Sequence, residues 1–303
     1  AKINETLLAP INQSGDQQGC RFVDGKVQTP DGFPEAYRTF AEGGWGALGG
    51  DPAYVGQGMP KMLSVLFEEM LFAANSSFAL YPVLTSGAAL ALNLHGSEEL
   101  KQRFLPNLYS GRWSGTMCLT ESHAGTDLGI MKTRAVPEGD NRYRITGTKI
   151  FITAGEHDLS ENIIHFVLAK LPDSPPGSQG ISLFVVPRQQ VSESGEVTGE
   201  NGVSCGSIEH KMGIKASATC VINFDSAVGY LLGEENRGLA CMFTMMNYER
   251  LNMGLQGIGL ADLAYQTARD YAKERVQGRA PSGPAQPDQV ADPIIVHPDV
   301  RRM

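Results

Sequence analysis

Basic runs are missing from this chain of 303 residues: 25 Lys and Arg stand against 33 Asp and Glu, a formal net charge of −8. Nucleic acid and anionic bilayers are held chiefly by clustered Lys and Arg, so neither is an expected partner. Uninterrupted apolar runs of the roughly 18–20 residues needed to cross a membrane are missing too. Phe78 to Leu94 comes nearest, and Tyr81, Pro82, Thr85, Ser86 and Asn93 break it. The opening residues carry no signal-peptide pattern. Cysteine is sparse and scattered (Cys20, Cys118, Cys205, Cys220, Cys241), with no Cys-x-x-Cys pair, which argues against a disulfide framework or a zinc site. The six histidines show no His-x-x-x-His spacing either. A reducing, cytoplasmic compartment is the expectation.

What is present is an ordinary globular composition, 42% hydrophobic, in three stretches of different period. Residues 1–113 read as a helical domain. Pro60 suits a helix start, and Met62, Leu66 and Met70 recur beside Leu63, Phe67 and Leu71. Gly96 ends an apolar helix and Ser97 caps the next, whose buried face is Phe104, Leu105 and Leu108. The run Gly43-Gly-Trp-Gly-Ala-Leu-Gly-Gly50 is a turn or loop without the Gly-Lys-Ser/Thr ending of a phosphate loop.

Over 114–228 the period becomes two, with strands expected at Tyr143–Thr146, Lys149–Thr153, Ile163–Ala169, Ile181–Val186 and Cys220–Phe224. This is a mostly antiparallel β domain. Residues 229–303 begin a helical bundle, with one proline-free helix from Leu239 to about Arg275, about 55 Å at ~1.5 Å per residue. Gly254, Gly257 and Gly259 follow no strand, so they mark close helix packing rather than a dinucleotide loop. The Pro- and Gly-rich stretch after Gly278 is a linker, and Asp299 starts another helix near the terminus, so the chain reads as a fragment. The fold class is α+β.

The chemistry concentrates in two segments, Met117-Cys-Leu-Thr-Glu-Ser-His-Ala-Gly-Thr-Asp127 and Lys149-Ile-Phe-Ile-Thr153. Two strands that each end on threonine, beside a tight loop, form a surface suited to a flat heteroaromatic ring. Singly, Thr120 and Thr153 need no role beyond β-propensity. As one ordered set with Glu121, Gly125, Thr126 and Asp127, they resemble the flavin-binding signature of the acyl-CoA dehydrogenase family. The order of helices, β domain and helical bundle agrees, and Glu209-His-Lys-Met-Gly213 followed by Cys220–Phe224 resembles that family's second β signature.

The resemblance implies FAD as cofactor. Backbone groups at Met117 and Leu119, with the Thr120 hydroxyl, would face the flavin's polar edge. Gly125 and Thr126 would approach its phosphates, Phe151 would cover one ring face, and Thr153 would meet the hydride-accepting nitrogen. Arg275 matches an arginine that reaches the FAD of a neighbouring subunit, which implies a homodimer or homotetramer; its other reading is a cation at a helix C-terminus. Glu121 and Asp127 are expected to hold the turn. Two positions depart from the family: Ile130 follows Gly129 where a glycine is usual one residue later, and Phe151 stands where tryptophan is common. Both fit a sub-branch, and Phe151 could change oxygen access.

Within the family, Lys149–His157 and Asp292-Pro-Ile-Ile-Val-His-Pro-Asp299 are most similar to the branch acting on 3-methylmercaptopropionyl-CoA. Abstraction of an α-proton from a thioester needs a carboxylate of raised pKa. The resemblance offers two positions for it, one C-terminal to this chain and one matching Glu249 on the long helix. That branch implies the former, so Glu249 stands as a candidate whose other reading is a structural hydrogen bond or ion pair. Asn247 and Arg250 resemble residues beside bound CoA. Residues around Met70 and Phe78 are either core or acyl-pocket lining. The implied activity is α,β-dehydrogenation of an acyl-CoA, with electrons passed to an electron-transfer flavoprotein. An oxidase on the same fold and a non-catalytic flavin-fold binding protein are the alternatives.

Overall fold

The computed structural model describes residues 2–303. Near the N-terminus, helix α1 (Asn12–Gln18) precedes a hairpin of β1 (Arg21–Val23) and β2 (Lys26–Gln28), turned by Asp24 and Gly25, both at positive φ. This hairpin interrupts a stretch read from sequence as helical throughout. Helix α2 (Phe33–Glu42) follows, then the Gly-rich loop.

Helix α3 (Lys61–Ala74) starts directly after Pro60, and α4 (Ser76–His95) and α5 (Glu98–Tyr109) obey their caps. Asn75 accepts from the Phe78 amide at the start of α4, and Ser97 accepts from Leu100 at the start of α5. By length and composition α4 could cross a membrane, with a mean hydropathy of 1.3, but 78% of that window is buried in the protein. Its apolar surface forms the centre of the helical core with Phe33, Phe40, Phe72 and Phe104.

The β region holds β3 (Trp113–Cys118), β4 (Arg134–Gly139), β5 (Arg142–Thr153), β6 (Asn162–Lys170), β7 (Ile181–Pro187), β8 (Gln189–Val191), β9 (Val197–Glu200), β10 (Val203–Ile208) and β11 (Thr219–Leu232). The two segments expected around Tyr143 and Lys149 are one strand, bent at Gly147, where a Cβ would lie 2.4 Å from Thr133 Oγ1. Pairings β11–β5, β5–β4, β4–β6, β6–β7 and β7–β11 close into a ring, with β10 and β3 attached. Antiparallel pairs dominate; β3 runs parallel to β6, and β4 meets β6 in parallel at one residue pair. The ring encloses Ile145, Val167, Phe184, Val186 and Ile222, while β6 and β7, covered on both faces, are buried almost throughout.

Helix α6 (Gly238–Glu274) lies against α3 and α4. At Gly259 a Cβ would come within 2.7 Å of the Glu69 carbonyl, so glycine permits the α3–α6 approach there. Gly254 and Gly257 face open space, which corrects the expectation that all three serve packing. The 275–297 loop is ordered around buried Asp292, which accepts from the Ala280 and Gln286 amides, and short helix α7 (Pro298–Arg302) ends the chain.

Candidate active site

Helix α4 divides the relevant space. On one side Thr85 Oγ1 accepts from the Gly115 amide and Ala88 sits where a Gly115 side chain would be, so β3 rides directly on the helix. On the other side Pro82, Val83, Ser86 and Leu90 line a cavity of about 580 Å³, closed by α3, α6 and the Gly-rich loop. That volume suits a small organic ligand.

On the β3 side, the chain leaves the strand at Leu119 and Thr120, and the Thr120 carbonyl accepts from Ile150 on β5. Met117, Leu119, Thr120 and Thr153 are part-buried, and Phe151 is 59% exposed. Among the described residues, neither the Thr120 nor the Thr153 hydroxyl has a hydrogen-bond partner. Phe151 (φ 59°) and Ala154 (φ 55°) both adopt left-handed backbone. A β-strand aromatic held there is strained, and such strain collects at functional positions. A Cβ on Gly125 would meet nothing within 4 Å, so its backbone is open to a ligand, and Thr126 beside it is exposed. The face is a part-exposed surface with unspent donors.

Glu121 braces this loop from beneath. Its carboxylate accepts from the Lys132 and Thr133 amides at 2.7 and 3.0 Å, from Thr133 Oγ1 at 2.5 Å and from Lys149 Nζ at 2.9 Å. Burial alone would raise the carboxyl. The Lys149 charge and these donors outweigh it and hold the group at about 2. Asp127 accepts from Gly129, and a Cβ at Gly129 would crowd Asp127 Oδ1 and Ser178 N at 3.0 and 3.1 Å. The glycine therefore belongs at 129 in this chain, and Ile130 points outward, 52% exposed.

Around the cavity, Lys61 Nζ binds both Glu68 oxygens at 2.9 and 3.1 Å, and Tyr248 donates to Glu68 Oε1 at 2.6 Å. The Trp45 and Phe67 rings stack with centroids 4.9 Å apart. Sequence reading missed this cluster. Lys61 and Glu68, seven apart on one helix face, were a weak signal, but Tyr248 joins them only through the fold.

Glu249 sits next to the cavity without lining it. It is buried, its Oε1 has no partner, and Gly87 makes its space: a Cβ there would lie 2.4 Å from that oxygen. Burial, then the Glu68 charge, raises its carboxyl to about 8, against the opposing pull of Lys61. Asn247 reaches the cavity. Arg250 instead donates to Asn247 at 3.0 Å and lies over the Phe243 ring. Arg275 is exposed at the far end of α6, about 39 Å of helix from Glu249, and donates to Gln277. Within one chain it does not join the group around Thr120. Phe78 is fully buried core, and Met70 faces solvent at 41% exposure, so neither lines the cavity; Phe67 and Leu71 do.

One buried pair looks like a nucleophile dyad. His157 Nδ1 accepts from the Leu159 amide, so Nε2 carries the proton and donates to Ser114 Oγ. A histidine so placed cannot take the serine's proton, and burial holds it at about 3.

Three domain descriptions of one family match the chain: acyl-CoA dehydrogenase N-terminal domain over residues 22–112, middle domain over 116–227 and C-terminal domain over 236–291. The chain belongs to the acyl-CoA dehydrogenase family. It is 49% identical over 297 residues to 3-methylmercaptopropionyl-CoA dehydrogenase of Ruegeria pomeroyi, covering 98% of this chain and 50% of that protein. A butyryl-CoA dehydrogenase of Syntrophomonas wolfei is 42% identical over 314 residues, covering 100% of this chain and 51% of that one. The chain thus spans about half the length of these relatives. Among solved structures, butyryl-CoA dehydrogenase from Megasphaera elsdenii superposes with a TM-score of 0.79 at 25% identity, covering 99% of this chain and 70% of that one. A chain from a structure of the electron transferring flavoprotein of Acidaminococcus fermentans also gives 0.79, at 26% identity and the same coverage. The acyl-CoA dehydrogenase fold is the one observed.

Proposed function

We propose that this chain supplies the flavin berth and acyl cavity of an FAD-dependent acyl-CoA dehydrogenase, with 3-methylmercaptopropionyl-CoA as substrate and an electron-transfer flavoprotein as electron acceptor. The observation that carries the reading is the buried Glu249 carboxyl, whose Oε1 has no partner, beside an acyl-sized cavity and one helix away from an open β face of unpaired donors. The chain's residues fit FAD. Thr120 and Thr153 have donors to spend, Phe151 is presented as a ring cover, and Gly125–Thr126 leave backbone free for phosphate. When bound, FAD supplies the hydride acceptor that no side chain provides.

Within this chain, Glu249 is the candidate for the group that takes the α-proton. Its raised pKa suits a base acting on a weakly acidic carbon, and Lys61 with Tyr248 fixes the Glu68 carboxylate beside it by hydrogen bonds. The Trp45 and Phe67 rings in the cavity wall favour a soft thioether sulfur, consistent with the 49% identical relative. Arg275, exposed at the end of α6, is free to reach a second copy, and a homodimer or homotetramer follows from that reading.

The test is reconstitution with FAD followed by anaerobic addition of 3-methylmercaptopropionyl-CoA, butyryl-CoA or a long-chain acyl-CoA. The expected result is a yellow protein bleached fastest by the first. A colourless protein overturns the reading. Peroxide formed during aerobic turnover assigns an oxidase instead, and full bleaching by Glu249→Gln places the base outside this chain.

A further inference from the structure

Lys149 is fully buried, and its side chain ends inside the flavin berth's supporting layer rather than in solvent. Its ammonium donates to Glu121 Oε1 at 2.9 Å and, at the same distance, to the Leu119 carbonyl. That carbonyl belongs to the peptide unit whose other end is the Thr120 N–H. Among the described residues no protein acceptor meets that N–H, although the Thr120 carbonyl, on the next peptide, is paired with Ile150. A cation on the oxygen of an amide draws electron density from its nitrogen, so the N–H becomes a stronger donor. We infer that Lys149 is a positioning residue that polarises the Leu119–Thr120 peptide toward the anionic edge of a reduced flavin.

The arrangement has a cost that an apolar side chain would avoid. Burial lowers the Lys149 pKa, opposed by Glu121. An apolar side chain of similar length would fill the space without a buried ion pair. Glu121 already accepts from two amides and a hydroxyl, so Lys149 is not needed to anchor that carboxylate to the loop. The contact that only Lys149 makes is the one to the Leu119 carbonyl. His123, 3.6 Å from Glu121, and the buried Cys118 thiol are the other titratable groups at the pair.

The inference rests on the flavin reading, and the experiment separates the two. Sulfite adds to an oxidised flavin, its electron pair forming the new bond and leaving negative charge at the pyrimidine edge. Its dissociation constant therefore reports stabilisation of charge at that edge without any turnover. The FAD-loaded protein, Lys149→Met and Glu121→Gln are titrated with sulfite at pH 6.5, far below a lysine's ordinary value. Both substitutions break the same ion pair and both loosen the fold. Lys149→Met is expected to weaken sulfite binding about tenfold, whereas Glu121→Gln, which leaves the ammonium uncompensated, tightens it. Loss of folding alone moves both the same way, so opposite signs support the polarising role. Equal signs, or no change, with FAD still bound overturn it while the flavin reading stands. Failure of the unmodified protein to take up FAD overturns both.

Discussion

Glu249→Gln has a signature in stability as well as in turnover. The carboxyl ordinarily titrates at 4.5, and in the folded protein it is held at about 8, by burial first and the Glu68 charge second. The folded state therefore prefers the protonated form more strongly than the unfolded chain does. A group of this sign is harmless below about pH 4.5 and destabilises progressively as the pH rises toward 8. Each factor of ten in proton affinity is worth ~1.4 kcal/mol, so the penalty is roughly 3 kcal/mol at pH 7 and roughly 5 kcal/mol above pH 8. Glutamine has the shape of the neutral acid and no charge at any pH.

Urea unfolding of the two proteins at pH 5, 7 and 8.5 isolates this term, because every other titrating group is common to both. The variant is expected to gain on the wild type by roughly 2 kcal/mol or more between pH 5 and pH 7, and further by pH 8.5. A constant offset is uninformative, since the amide meets the Gly87 wall differently from a carboxyl; the slope is the readout. Parallel stability curves would mean that Glu249 is hydrated or paired in solution, and its place as a proton acceptor of raised pKa would go with them. If the slope is found, turnover is expected to rise through the same ionisation, near pH 8.

Gly87→Ala places a methyl 2.4 Å from Glu249 Oε1, with Met245 and Tyr248 behind it at 3.2 and 3.4 Å. Despite the helical preference for alanine, a net loss of about 1–3 kcal/mol is expected in denaturant titrations, and Glu249→Ala in the same chain should recover most of it; strict additivity of the two would show that they do not touch. Thr120→Val removes a hydroxyl and keeps the amide, so FAD affinity, followed by flavin fluorescence, is expected to fall about three- to tenfold with little change in melting temperature. Unchanged affinity would take that hydroxyl out of the berth.

How far sequence carried the reading depended on how local each feature was. The cap Ser97 and the terminator Gly96 act within four residues, and they lie where their chemistry requires. The β1–β2 hairpin was overlooked because its strands are three residues long, although Asp24-Gly25 is a turn signal in its own right. Period marked the α3 helix but not its covered side: Met62, Leu66 and Met70 repeat as a core face should, yet they are 69%, 53% and 41% exposed, while Phe67 and Leu71 carry the contact. A stripe of apolar residues shows which side of a helix is greasy, not which part of it is covered. The Lys61–Glu68–Tyr248 cluster, joining positions 180 residues apart, belongs only to the fold.

The placement of α4 links these observations. Its faces are specialised by residue size: Ala88 and Thr85 let β3 lie close, Gly87 admits the Glu249 carboxyl, and Val83, Ser86 and Leu90 leave the cavity open. A twenty-residue helix that is largely buried is a rigid partition, and rigid elements hold reacting groups more closely than loops do. Because the cavity and the β face share this wall, a shift of α4 toward one side must open the other. Enlarging Gly115, where Ala88 already stands 2.4 Å from a would-be Cβ, would push the helix toward α6 and disturb Glu249 without touching either site directly. Small residues on both faces of one helix thus couple the Glu249 carboxyl to the strand that leads to Thr120.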